Sequence, residues 1–216
     1  YFAKDSLKFL PGFGWGMYLM GQIFVKRNWT NDKKMIDKAF NSIKENKEPV
    51  WIITYLEGTR FTEEKLIQSH EFAKERNLPL FKNVLIPRVK GFAASINSFK
   101  DSHVKYVYDF TLAYKHKEKG FGVLPSIATI LSSDLSDYQF HVHIRRFPIE
   151  SIPSDDEGIY QWAIKLYQEK DDFLEELKKN WTSNIDLIDD EKIEWKGLQW
   201  ELNKLFSRNK DIKYLE

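Results

Sequence analysis

The sequence has no cysteine, which excludes a disulfide scaffold and a cysteine nucleophile and removes the usual ligands of a structural zinc site. It lacks a charge excess of either sign: 33 basic residues against 32 acidic ones leave a net charge of +1. A general nucleic-acid binder would show a basic surplus or stripe, so no nucleic-acid partner is expected. Nor is there an apolar run of the ~20 residues needed to span a bilayer. The nearest candidate, residues 9–25, is uncharged between Lys8 and Lys26 but is broken by Pro11, Gly12, Gly14, Gly16 and Gly21. Its Gly12-Phe13-Gly14-Trp15-Gly16 string lacks the third-glycine spacing of a dinucleotide-binding loop and precedes a strand instead of following one. Internal repeats and low-complexity segments are absent.

The chain does have aromatic residues: 15% of its length, beside a charged share of 30%. That mixture fits a protein that works at an apolar surface while staying in solution. At 216 residues there is room for one sizeable core and little room for two. Residues 22–26 read as a strand, and Asn31 or Asp32 as the cap of a helix carrying Ile36, Ala39, Phe40 and Ile43 at helical spacing. Residues 50–56 are continuously apolar, the pattern of a strand buried on both faces. A strand, a helix and a strand of these lengths make a right-handed crossover, so the two strands should be parallel.

Thr62 caps a second helix with Glu63 and Glu64 in its first turn, and Asn77 and Pro79 end it. Residues 84–86 return as a strand, 91–99 form a short helix, and 106–114 and 140–147 are further strands. Tyr106, Tyr108, Phe110, Leu112 and Tyr114 share one face of the first of these. Ser154 with Glu157 makes a capping box for a long helix ending near Trp181. Residues 186–191 read as an acidic loop and 195–206 as an amphipathic helix, packed or interfacial. The expected domains are therefore 1–181 and a C-terminal segment, 182–216.

Three blocks repeat one grammar, an apolar segment followed by charge and then a helical pattern. The first is Phe24-Val25-Lys26-Arg27-Asn28-Trp29 and the second is Glu57-Gly58-Thr59-Arg60 after its apolar run. The third runs Asn83-Val84-Leu85-Ile86-Pro87-Arg88-Val89-Lys90-Gly91-Phe92. A glycine turn after a strand exposes backbone N–H groups, and an arginine beside it offers a forked, permanently charged donor suited to phosphate. In an open parallel sheet the charged ends share one edge, where ligands bind. Lys26-Arg27, Glu57 to Arg60 and Pro87 to Lys90 are thus expected to converge.

In order and spacing these blocks resemble the PlsC-type glycerolipid acyltransferases, the lysophosphatidic acid acyltransferase family, and most closely its eukaryotic branch. The resemblance covers most of the chain and fades after about residue 170. It implies an α/β fold with a mainly parallel or mixed sheet and helices on both faces. It also implies transfer of a fatty acyl chain from acyl-CoA to the free hydroxyl of a lysophospholipid: lysophosphatidic acid, lysophosphatidylinositol or lysocardiolipin. Acyl-CoA is then a co-substrate, with no cofactor and no metal. The expected location is membrane-associated, at the endoplasmic reticulum. By the family pattern Arg27, Glu57, Gly58, Thr59 and Arg60 bind the acceptor, while Ile86, Pro87, Arg88 and Lys90 shape the site and meet acyl-CoA. Lys26 stands where many relatives carry an acidic residue. Glu57 is expected to orient Arg60 or to contact a substrate hydroxyl. Residues 9–25 read either as a buried loop entering a strand or as a segment that lines an acyl-chain groove or dips into the membrane interface.

The family's H-x-x-x-x-D block, whose histidine is the general base and whose aspartate orients it, matches none of the five histidines. In the family it precedes the stretch resembling residues 2–11. The catalytic histidine and aspartate are therefore expected upstream of Tyr1, with no catalytic residue in the chain itself, which reads as an N-terminally truncated piece without turnover. The alternative expectation is a non-catalytic lipid-binding module of the same fold. The histidines themselves read as surface or structural residues.

Overall fold

The computed structural model describes residues 2–20, 23–25, 29–47, 49–132, 134–181 and 185–188. The chain is α/β with a mixed sheet. It divides into two compact units, the first comprising 1–105 and 149–167, the second 106–148 and 168–216.

The first unit opens with strand β1 (Phe2–Lys4), a 3₁₀ turn (Asp5–Phe9) and helix α1 (Phe13–Leu19), then strand β2 (Ile23–Val25), which pairs with β1 in parallel. The turn and α1 pack so closely that a Cβ on Gly14 would lie 2.2 Å from the Leu7 carbonyl oxygen, so only glycine fits there. Helix α1 replaces the buried loop that its glycines suggested. Beyond Gly14 and Met17 its residues are exposed or half-buried.

Helix α2 (Trp29–Asn46) starts ahead of its expected cap, placing Asp32 inside the first turn, where the positive end of the helix dipole favours an acid. Its Ile36 and Phe40 are buried, and the Phe40 ring meets Phe99 edge-on at 4.9 Å. Helix α3 (Glu63–Glu75) begins as the sequence indicates: Thr62 Oγ1 accepts from the Lys65 amide, and Glu63 and Glu64 fill the first turn. Helix α4 (Lys90–Phe99) buries Phe92, Ile96 and Phe99, with Phe92 stacked on Trp162 at 5.8 Å.

Residues 50–56 are not in a strand ladder, and their burial alternates. Trp51, Ile53 and Tyr55 are largely exposed while Ile52, Thr54 and Leu56 are half-buried. The expectation of a strand buried on both faces is therefore corrected. A continuous apolar run specifies an extended segment but not a neighbouring strand, which is a non-local choice. Residues 84–86 are likewise outside any ladder, although all three are buried.

The second unit is built on a four-stranded sheet in the order β4-β3-β5-β6. Strands β3 (Tyr106–His116) and β5 (Tyr138–Pro148) pair antiparallel along their whole length, from Tyr106 opposite Pro148 to His116 opposite Tyr138. Strand β4 (Gly120–Phe121) continues the antiparallel edge, helix α5 (Ile127–Leu131) intervenes before β5, and β6 (Ile185–Ile188) pairs with β5 in parallel. Residues 186–188, read from sequence as acidic loop, are thus strand. The amphipathic stretch 195–206 lies outside the described residues.

Helix α6 (Asp156–Lys179) contributes its first half to one unit and its second half to the other. Its start corrects the expected capping box, because Asp155 Oδ1 accepts from the Gly158 amide at 2.7 Å. Ser154 instead takes Lys100 Nζ at 2.7 Å. A carboxylate one residue nearer the helix wins the cap because it adds charge to the same hydrogen bond. In the second unit Lys170 Nζ reaches Asp109 at 2.6 Å, and Arg145 grips the same carboxylate at 2.9 Å while touching Glu169 at 2.8 Å. This ion cluster marks the inner face of β3, with Thr111 and Ala113 buried along it. Phe110 and Leu112, on the opposite, aromatic face, are the more exposed.

Candidate functional site

The extended segment 50–56 ends in a turn over residues 55–58, where the Gly58 amide donates to the Tyr55 carbonyl at 3.0 Å. Gly58 has φ of 66°, a left-handed conformation that an L side chain resists. The third block docks on this turn through its backbone. The Arg88 amide donates to the Leu56 carbonyl at 2.7 Å, and the Leu85 amide donates to Glu57 Oε2 at 3.3 Å. Arg88 also crosses Gly58 closely, since a Cβ there would stand 3.4 Å from Arg88 Cδ.

Helix α3 holds the third block and the segment just before it. Ser69 Oγ accepts from the Ile86 amide at 3.0 Å, and His70 Nε2 donates to the Phe81 carbonyl at 2.6 Å. These two residues were not legible as site supports, because nothing in their local sequence marks a partner eleven or seventeen residues away. Val84, Leu85, Ile86 and Pro87 are buried beneath, while Gly58, Thr59, Arg60, Arg88 and Lys90 are exposed. The third block is thus apolar and buried at its centre, and the exposed residues of the two loops include three cations, Arg60, Arg88 and Lys90.

The start of α4 adds to these cations. Its N-cap, Val89, has a hydrocarbon side chain that caps none of the first-turn amides. The positive end of the helix dipole lies at Val89, next in the chain to Arg88 and Lys90, a combination suited to a phosphate. The apolar pattern of the sequence places the start of this helix one residue later, at Gly91, and does not mark its amides as donors.

Of the residues selected from sequence, Glu57, Gly58, Ile86, Pro87 and Arg88 are brought together, with Thr59, Arg60 and Lys90 adjoining them in the chain. Arg27 and Lys26 lie outside the described residues. So does Tyr1, the residue upstream of which the histidine and aspartate are expected. Glu57 has a role that the sequence did not suggest: half-buried, it ties one loop to the other through Leu85. The described histidine contacts are those of folded structure. His116 Nδ1 accepts from the amides of Glu118 and Lys119, and His143 stacks on Phe173 at 4.3 Å.

The two joined loops belong to a region matched by the acyltransferase family model, which covers residues 1–114, while a model of the acyltransferase C-terminus covers residues 130–198. The chain belongs to the acyltransferase family. It is 36% identical over 180 residues to the human 1-acyl-sn-glycerol-3-phosphate acyltransferase delta, an alignment covering 83% of this chain and 46% of that protein. It is 37% identical over 169 residues to the human gamma enzyme, covering 78% of this chain and 43% of the relative. The mouse delta enzyme is 36% identical over 174 residues. The chain spans about half the length of these relatives. No solved structure matches it.

Proposed function

We propose that this chain is the substrate-holding part of an acyl-CoA-dependent O-acyltransferase that acylates the free hydroxyl of a lysophospholipid, with lysophosphatidic acid as the first candidate acceptor. One observation carries the reading: the Glu57–Arg60 turn and the 84–90 block are locked together by the Leu56–Arg88 and Glu57–Leu85 hydrogen bonds, and the cations Arg60, Arg88 and Lys90 of these two loops are exposed. The relatives' names, which specify 1-acyl-sn-glycerol-3-phosphate, supply the acceptor.

In this reading Arg60 takes the acceptor phosphate as a charge-assisted, bidentate contact. Arg88, Lys90 and the amides opening α4 take phosphates of acyl-CoA. Arg27 is proposed as a second contact to the acceptor phosphate. Ile86 and Pro87 shape the site, and Glu57 and Gly58 fix the relation between the two loops. The hydroxyl must also lose its proton as the thioester is attacked, and a base for that step contributes ~100- to 10,000-fold. No H-x-x-x-x-D occurs in the 216 residues, and in this reading the chain holds the substrates while the base is supplied from outside it. The same absence favours the second reading, a lipid-binding module without turnover.

No described helix is long and apolar enough to cross a membrane. A membrane surface, at the endoplasmic reticulum, is proposed as the place of work because the acceptor is a lipid. The test uses a protein that carries this chain together with an intact H-x-x-x-x-D block. It is offered acyl-CoA with lysophosphatidic acid, lysophosphatidylinositol or lysocardiolipin, and CoA thiol release is followed. Release with at least one acceptor supports the reading. No release with any acceptor refutes it and leaves the non-catalytic module.

A further inference from the structure

Helix α1 and the turn before it present an apolar surface that the two joined loops do not include. Phe9, Phe13, Trp15, Tyr18, Leu19 and Met20 are between 63% and 84% exposed, while only Gly14 and Met17 of the helix are buried. A helix packed on a protein core shows one apolar stripe and one polar face. This one is apolar all round and has no charged residue.

Two further observations indicate what covers it. The first is charge: no acidic residue occurs between Asp5 and Asp32, whereas Lys8, Lys26 and Arg27 bracket the apolar run. Lys8 is shared with Asp5 at 2.7 Å, and its ammonium lies 5.0 Å from the Phe9 ring centre. The second is the backbone: the amides of Leu10, Phe13, Gly14, Gly16 and Met20 donate to carbonyls of Leu7, Pro11, Leu10, Gly12 and Gly16 respectively. A segment that closes its hydrogen bonds within itself can leave water without stranding polar groups. Its seven helical residues are only ~10 Å long, so it can enter a bilayer without crossing it.

We infer that residues 9–20 insert into the headgroup–acyl boundary of a bilayer carrying anionic phospholipid, with Trp15 and Tyr18 at the boundary. This rests on the membrane part of the proposed function and assigns it to one surface.

The experiment uses the 216-residue chain and vesicles of equimolar phosphatidylcholine and phosphatidylserine. Because the chain has no cysteine, Leu19→Cys accepts a single environment-sensitive fluorophore, and Lys74→Cys on the exposed side of α3 carries the same label as a reference. Added vesicles are expected to shift the Leu19→Cys emission to the blue and leave the Lys74→Cys label unchanged. The double variant Trp15→Glu/Leu19→Glu should keep its melting temperature, as both side chains are exposed, and lose about tenfold or more in vesicle partitioning. Failure of the wild-type chain to sediment with vesicles overturns the membrane reading itself. Sedimentation that the double variant retains, with the Leu19→Cys label still in water, overturns only the assignment to residues 9–20. Self-association of the wild-type chain without vesicles, abolished by the double variant, overturns it too, because a second copy then covers this surface.

Discussion

Substitution at Glu57 separates a tether from a substrate contact. Its carboxylate accepts the amide of Leu85, and Leu85 is only 4% exposed. Glu57→Ala therefore leaves a buried N–H without that acceptor, a loss of about 1–3 kcal/mol. For a chain of this size a kcal/mol is worth about 2–4 °C, so the melting temperature should fall by roughly 2–12 °C. Glu57→Gln keeps a carbonyl oxygen at the same reach and should recover most of the loss, since only the charge assistance is gone. Hydrogen exchange reads the same bond directly. The Leu85 amide should exchange roughly 5- to 150-fold faster in Glu57→Ala, by the same 1–3 kcal/mol, and close to the wild-type rate in Glu57→Gln. If both variants leave stability and Leu85 exchange untouched, the tether is refuted.

Other substitutions probe the remaining supports. Gly14→Ala brings a Cβ to 2.2 Å from the Leu7 carbonyl, so thermal melting should show a destabilisation of about 1–3 kcal/mol from overpacking. Asp109→Asn removes the carboxylate that Arg145 and Lys170 share at 10% exposure, and denaturant titration should show a loss of about 3–5 kcal/mol. Gly58→Ala forces a side chain into a φ of 66°, and the penalty of about 1–2 kcal/mol should appear as lost stability together with altered ligand affinity. The 216-residue chain should bind acyl-CoA yet release no CoA thiol with any acceptor, and robust release would show that the base lies within it.

Local chemistry was the legible part of this fold. Thr62 and the two acids after it start α3, the periodicity of Ile159, Ala163 and Leu166 gives α6, and alternation gives β3 and β5. Pairing was not legible, because it is decided between segments far apart. Residues 50–56 and 84–86 have strand composition, yet they meet the rest through single hydrogen bonds such as Arg88 to Leu56. Helix α1 was hidden by its own glycines, of which Gly14 is required by contact with the preceding turn and not by flexibility. At the site, the turn glycine and the exposed cations could be read from one block each. The bond from Glu57 to Leu85 could not, since it joins residues 28 positions apart.

The central claim is that the joined loops hold the phosphate of a lysophospholipid, and calorimetric titration tests it most directly. The 216-residue chain and its Arg60→Gln variant are titrated with a short-chain, monomeric lysophosphatidic acid and with the monoacylglycerol that lacks only the phosphate. Wild type should bind the phosphate-bearing lipid in preference. Arg60→Gln should lose about 1.5–3 kcal/mol of that binding, roughly 10- to 150-fold, and little of the other. Equal affinity for the two lipids, or an Arg60→Gln variant that binds lysophosphatidic acid as wild type does, would contradict the account.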